Sequence, residues 1–282
     1  MEQKKTKYYE FKNITPTSAD LYIYGEIVEE SWELWDEDSG VSLTDFKKDL
    51  DELQGITDLN IYINSGGGSV FASSTMVSLL ERQKLKGTKI HTYIDGLCAS
   101  ASTFIFFAGD DLNVYENSIA MIHKPMTISV GNANDLQKDI DTLNKIEDSV
   151  MLPLYEKKAK VDNNEIKAMI NNETWLTAGE IVEKFNVNLI NQTKQVVASI
   201  GDKYKSVYKH IPKQLQANTE PTEAPKKETP KAEETKPEEA KIEATATNEE
   251  EQPKVESVDY SVYDNKITTL YENKIKTLKK EN

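Results

Sequence analysis

Leu21, Ile23, Gly25 and Ile27 alternate with polar or aromatic neighbours, the period of a strand with one face turned to a core. Ser42 stands three residues before Asp45, a capping-box spacing, and Phe46, Leu50 and Leu53 then share one helical face until Gly55 ends the run. Residues 56–63 read as a second strand that runs straight into Asn64-Ser65-Gly66-Gly67-Gly68-Ser69. Val70, Val77 and Leu80 mark the next helix, closed by Gly87. Ile90, Thr92 and Ile94 form a third strand, which ends in Asp95-Gly96 and is followed by an apolar, helix-like run at 98–108. Strand and helix alternating three times with short connections predict an α/β fold, with a parallel sheet and right-handed crossovers.

Further on, Leu112, Val114, Ile119 and Met121 predict two short strands. Asn134 is the expected cap of a long helix carrying Leu136, Ile140, Leu143 and Ile146, bent or interrupted at Pro153. Asp162 with Glu165, and Thr177 with Glu180, repeat the capping spacing ahead of two more helices, and Leu189-Ile190 closes the folded body. Near the far end, YDNKITTL at 263–270 recurs as YENKIKTL at 271–278; a period of eight suits neither a straight helix nor a heptad seam.

Polar residues concentrate late in the chain. From Lys209 to Asp259 there is no aromatic residue, and 220–254 is almost entirely Pro, Glu, Lys, Ala and Thr, a composition that cannot bury enough apolar area to offset ordering entropy. The expected organisation is therefore an N-terminal arm at 1–18, one domain at 19–212, a disordered acidic linker at 213–259 and a short amphipathic repeat segment at 260–282. A net charge of -14 argues against a nucleic-acid surface, which needs clustered Lys and Arg. Cys98 is the only cysteine, so neither an internal disulfide nor a cysteine-based metal site can form, and no metal or cofactor is expected. The opening MEQKKTKYYEF lacks the apolar run of a secretory signal, and no apolar stretch approaches membrane-spanning length. The expected location is the cytoplasm, away from membranes.

Two glycine turns end successive strands, where α/β proteins place their sites. INSGGGSV lacks the Lys-Ser/Thr of a P-loop and the GxGxxG spacing, so it reads equally as a flexible strand-to-helix turn. In GLCASASTFIFFAG, Ser100 sits just before an apolar helix, where a nucleophile would have backbone N–H groups beside it; a cap or packing serine occupies the same place. The histidines are His91, His123 and His210. His91 lies within a strand and His210 at the edge of the polar tail, whereas His123 ends a strand and precedes Lys124-Pro125, a position suited to acid–base work.

Together these segments resemble the Clp protease family. INSGGGSVFAS resembles its N-S-P-G-G turn, GLCASAS its G-x-A-A-S nucleophile turn, and MIHKP its M-I-H-x-P histidine turn. ETWLTAGEIVEKFNVNLIN resembles D-R-F-L-S-A-x-E-A-x-x-Y-G-L-I-D. The four occur in family order from Ile61 to Asn191. The resemblance implies a Clp-type, crotonase-like stack of ββα units with a long handle helix, assembled into homo-oligomeric rings. It implies Ser100 as nucleophile, His123 as base, the amides of Gly68 and Ala101 as oxyanion donors, and Glu173 at the third triad position, where cellular members have aspartate. Gly66 stands where the family has proline.

The segment IYGEIVEESWELWDEDSGVSLTDFKKDLDEL, the ETWLTA motif and the acidic extension resemble the Clp-like head maturation proteases of tailed phages and prophages. That resemblance implies capsid or scaffold proteins as substrates, cleaved without a partner ATPase. The alternatives are a cellular, ATPase-dependent Clp peptidase subunit and a non-catalytic ring or scaffold protein of the same fold.

Overall fold

The structure, a computed structural model, describes residues 8–34, 39–53, 55–191, 204, 207–212 and 215. Its contacts divide the chain into Met1–Asn218 and Thr219–Asn282, the second lying outside the described residues. The polar linker, save Leu215, and the repeat at 263–278 therefore fall outside them, as does Trp35.

The predicted alternation becomes the register of the central sheet. Strands β2 (Ser18–Val28), β4 (Asp58–Gly68) and β5 (Lys89–Ala99) pair in parallel, bringing Ile23, Ile63 and Ile94 side by side with no exposed surface. Tyr22, Tyr62 and Tyr93 form the next row, on the opposite face, and stack with ring centroids 4.9 Å apart across each strand pair. On the inner face each buried isoleucine contributes roughly 1.5–3 kcal/mol by leaving water. The N-terminal stretch adds an antiparallel edge strand, β1 (Tyr9–Lys12), against β2. β3 (Gly40–Ser42) pairs with the end of β2, and β6 (Asp111–Tyr115) continues the parallel sheet beyond β5.

The helices fill the crossovers. Ser42 accepts a hydrogen bond from the Asp45 amide to start α1 (Leu43–Glu52), which buries Phe46 and Leu50. Ser69 likewise caps α2 (Val70–Leu85), directly after the glycine turn. α3 (Ser102–Phe107) is buried along its whole length, as its apolar sequence requires. The cap of α4 (Ala133–Ile146) is Asn132, not the expected Asn134: the Asn132 side chain accepts from the amides of Asn134 and Asp135, while Asp135 reaches back to close the box. The Asn134 side chain cannot cap because its residue already lies inside the first turn. The interruption expected at Pro153 comes earlier, as a π-helical turn at Glu147–Met151; Pro153 itself sits in the first turn of α5 (Leu152–Glu156), where a missing N–H costs nothing. α6 (Asn163–Asn171) and α7 (Ala178–Lys184) start at the predicted Asp162 and Thr177 caps.

The end of β5 carries a second, smaller pairing. β7 (Ile119–Ile122) runs parallel to it, with Leu97 opposite Ile119 and Ala99 opposite Met121, and β8 (Thr174–Thr177) lies antiparallel to β7. β9 (Asn188–Ile190) joins β6 and completes the sheet. Among the described residues, no helix is long and apolar enough to cross a membrane.

Candidate active site

Strand β5 ends at Ala99 and α3 begins at Ser102, leaving Ser100 to turn the chain. Ser100 adopts φ 55, left-handed geometry that costs an L-residue roughly 1–2 kcal/mol. Several bonds hold it there. The Ser100 amide donates to the Met121 carbonyl at 2.8 Å, and the Thr103 hydroxyl donates to the Ser100 carbonyl at 2.5 Å. Tyr155, fully buried, sits 2.7 Å from the Thr103 hydroxyl and supplies its remaining hydrogen bond. Ser102 donates to the Ala99 carbonyl at 2.8 Å from the other side of the turn. None of Thr103, Ser102 or Tyr155 stands out in sequence, because their use depends on a turn that only the fold assembles.

The glycine turn closes against the same place. Ser65 donates to the Gly25 carbonyl at 2.5 Å and accepts from the Gly67 amide at 3.0 Å, while the Asn64 side chain accepts from the Leu97 amide at 3.0 Å. A Cβ placed on Gly67 would lie 2.6 Å from the Ala99 oxygen, 2.8 Å from Ser100 Cβ and 3.0 Å from the Ala101 nitrogen. Only a glycine lets the two turns approach this closely. Of the two expected oxyanion residues, Ala101 is the cap of α3 directly after Ser100, while Gly68 ends β4 against the backbone of Ile27; the glycine packed on the Ser100 turn is Gly67.

His123 follows β7, and its Nε2 stands 2.7 Å from Ser100 Oγ. The ring is 8% exposed; burial pushes its pKa below the ordinary imidazole value, against the upward pull of the Glu173 carboxylate. Burial thus favours the neutral ring, whose Nε2 can accept the Ser100 proton when Nδ1 carries the hydrogen. Glu173 follows the end of α6 at φ 49, the left-handed position common just after a helix. Among the described residues no hydrogen bond joins its carboxylate to His123. Instead it accepts from the amides of Lys209 at 2.8 Å and His210 at 2.7 Å, and from Trp175 Nε1 at 3.4 Å.

The other candidates fall elsewhere. His91 sits between Asp58 and Asp111, 3.4 and 3.0 Å from their carboxylates. Cys98 points into the main core, where burial pushes its thiol up to about 12, so it is no nucleophile despite lying two residues from Ser100. Among the described residues no cluster of His, Cys, Asp and Glu is placed to hold a metal ion.

A strained serine at a strand-to-helix turn, hydrogen-bonded to a buried neutral imidazole, is the arrangement of a serine hydrolase. Residues 48–194 match the family model described as Clp protease, and the chain belongs to that family of serine peptidases. It is 29% identical over 141 residues to the ATP-dependent Clp protease proteolytic subunit 1 of Prochlorococcus marinus (strain MIT 9312), covering 49% of this chain and 70% of that protein. It is 26% identical over 136 residues to the ATP-dependent Clp protease proteolytic subunit of Bacteroides thetaiotaomicron, covering 48% of this chain and 60% of that one.

Proposed function

We propose that this chain is a serine endopeptidase in which Ser100 is the nucleophile and His123 its general base. The observation that carries this reading is the 2.7 Å contact between Ser100 Oγ and His123 Nε2 on a turn held in left-handed geometry. As Oγ attacks a peptide carbonyl, its proton passes to Nε2, and the carbonyl oxygen becomes an oxyanion between the amides of Gly68 and Ala101. The imidazolium then gives that proton to the departing amine. Water, deprotonated by the same ring, hydrolyses the acyl-enzyme and restores Ser100. Glu173 is the group that stabilises the imidazolium: its charge already raises the affinity of His123 for a proton.

The test is a fluorophosphonate applied to the full-length chain, with the adduct mapped by mass spectrometry. The label is expected on Ser100 and should vanish in Ser100→Ala and His123→Ala. A chain that stays unlabelled under prolonged excess reagent, or that carries the label elsewhere, overturns the assignment.

For substrate, the tryptophan-containing insertion and the acidic extension support capsid or scaffold proteins cut during phage head maturation, by a homo-oligomeric ring acting without an ATPase. The relatives' names favour a second reading, a peptidase fed by an ATPase partner. Incubation with capsid and scaffold proteins encoded beside the gene, with and without a Clp-type ATPase and ATP, separates them. Cleavage at defined sites without ATPase supports the first; cleavage of folded proteins only with ATPase supports the second.

A further inference from the structure

The face of the sheet beside Ser100 is apolar and already covered. Leu97, Ala99, Ile119 and Met121 alternate with Cys98 and Ala120, which point into the main core, so the first four face the opposite way. On them lie Tyr208, Ile211 and Leu215, which are 7%, 9% and 4% exposed, with Tyr204 and Val207 packed alongside.

The polar contacts of this segment fall on the site itself. The Tyr208 hydroxyl donates to the Gly66 carbonyl in a short hydrogen bond, and its ring meets the His123 ring edge to face with centroids 5.3 Å apart. Tyr204 stacks on Tyr208 at 5.7 Å and directs its hydroxyl to the Gly67 carbonyl at 3.4 Å. The amides of Lys209 and His210 take the Glu173 carboxylate. Burial pushes the Tyr208 phenol well above its ordinary range, with Ser100 beside it acting in the opposite sense, so the hydroxyl stays protonated and remains a donor.

We propose that the segment holding Tyr204, Tyr208, Ile211 and Leu215 is a built-in inhibitor that occupies the substrate cleft and keeps Ser100 from incoming peptides. This rests on the peptidase reading of the same site. Gly66, where the resembling family motif has proline, explains how the segment fits. A Cβ at residue 66 would lie 2.5 Å from both Cε2 and Cζ of Tyr204. The Tyr204 ring yields more cheaply than the backbone of the turn, so a side chain at 66 displaces Tyr204 and loosens the segment's hold on the wall. A peptide substrate must compete with a tethered occupant, and its apparent affinity falls by the fraction of time the cleft is open.

Two variants of the full-length chain open the cleft by different routes: Gly66→Ala from the wall, and Tyr208→Ala with Ile211→Ser from the occupant. Each is made with Ser100 intact and again in a Ser100→Ala background. A fluorescent peptide copying residues 204–215, YKSVYKHIPKQL, probes the Ser100→Ala set by anisotropy. The opened chains are expected to bind it about tenfold or more tightly than the chain with the native segment. With Ser100 intact, they should react with fluorophosphonate faster by a similar factor. Size-exclusion profile and thermal transition identify any variant that has lost the fold. Equal peptide binding by native and opened chains overturns the proposal. Peptide binding gained on opening, with Ser100 inert in every chain, leaves the inhibitor standing and removes the peptidase reading instead.

Discussion

Gly67→Ala tests whether the two glycine turns form one catalytic unit. The new Cβ would meet the Ala99 oxygen at 2.6 Å, against the 3.4 Å at which ordinary contact begins, an overlap of 0.8 Å by the difference of the two. Its other near neighbours, Ser100 Cβ and the Ala101 nitrogen, also belong to the nucleophile turn, so no flexible side chain can absorb the clash. Catalytic groups tolerate displacements of about 0.5 Å, and a misplacement of about 1 Å costs on the order of a hundredfold in rate. Gly67→Ala should therefore lower kcat/KM for a small peptide by roughly a hundredfold, mostly in kcat. It also forces alanine to φ 93, at a further cost of roughly 1–2 kcal/mol in stability. Gly55→Ala and Gly87→Ala are the controls. Both residues have positive φ, 76 and 99, but a Cβ there meets nothing within 4 Å, so they should lose stability while keeping full activity. The assay is steady-state peptide hydrolysis beside thermal unfolding for the three variants. A Gly67→Ala enzyme whose activity matches the two controls would refute the coupling.

Other outcomes follow from the same geometry. Ser100→Gly and Ser100→Ala should both lose activity by about four orders of magnitude or more, but glycine relieves the left-handed strain and should unfold later than alanine by about 1 kcal/mol; equal stability in denaturant titration would show that Ser100 is not strained. His123 must be neutral to act, so activity falls as pH drops through its depressed pKa, and Glu173→Gln, which removes the upward pull, should move that acid limb of kcat/KM to still lower pH. An unmoved or upward-shifted limb would place the orienting group elsewhere. Thr103→Val strands the buried Tyr155 hydroxyl and should cost about 1–3 kcal/mol, more than Tyr155→Phe, and the double variant should cost less than the sum of the two; strict additivity by chemical denaturation would break the proposed network.

The parallel sheet and the helix starts at Ser42, Asp162 and Thr177 were legible because each rests on local chemistry: side-chain alternation and a capping oxygen. Three histidines left few choices for a partner to Ser100, and the structure sets His123 Nε2 2.7 Å from its hydroxyl. The cap of α4 was misplaced by two residues because Asn132 and Asn134 are chemically alike, and only the backbone decides which one lies outside the first turn. Ser65, Ser102, Thr103 and Tyr155 were hidden for a different reason. Their hydrogen bonds join residues from 2 to 52 positions apart, and no periodicity marks such a bond. The β1 edge strand escaped notice because its short run, Tyr9–Lys12, is stabilised by its partner and not by its own pattern.

The cleft segment was out of reach for the most physical of these reasons. Residues 209–259 lack aromatics, and the polar run within them need not order by its composition. What orders Tyr208 and Ile211 is the surface they meet, and that surface is a consequence of strand geometry. Since Cys98 and Ala120 must point into the core, Leu97, Ala99, Ile119 and Met121 must point away from it, leaving an apolar strip beside the nucleophile wherever β5 and β7 pair. Such a strip is costly to leave in water and useful for gripping a substrate side chain. A chain that carries its own cover for the strip gains the burial while idle, and gives it up only to a peptide that binds the same strip better. On the proposed inhibitor, the affinity required of a substrate is set by how well Tyr208 and Ile211 pack, and the absence of a side chain at Gly66 is what lets Tyr204 pack closely beside them.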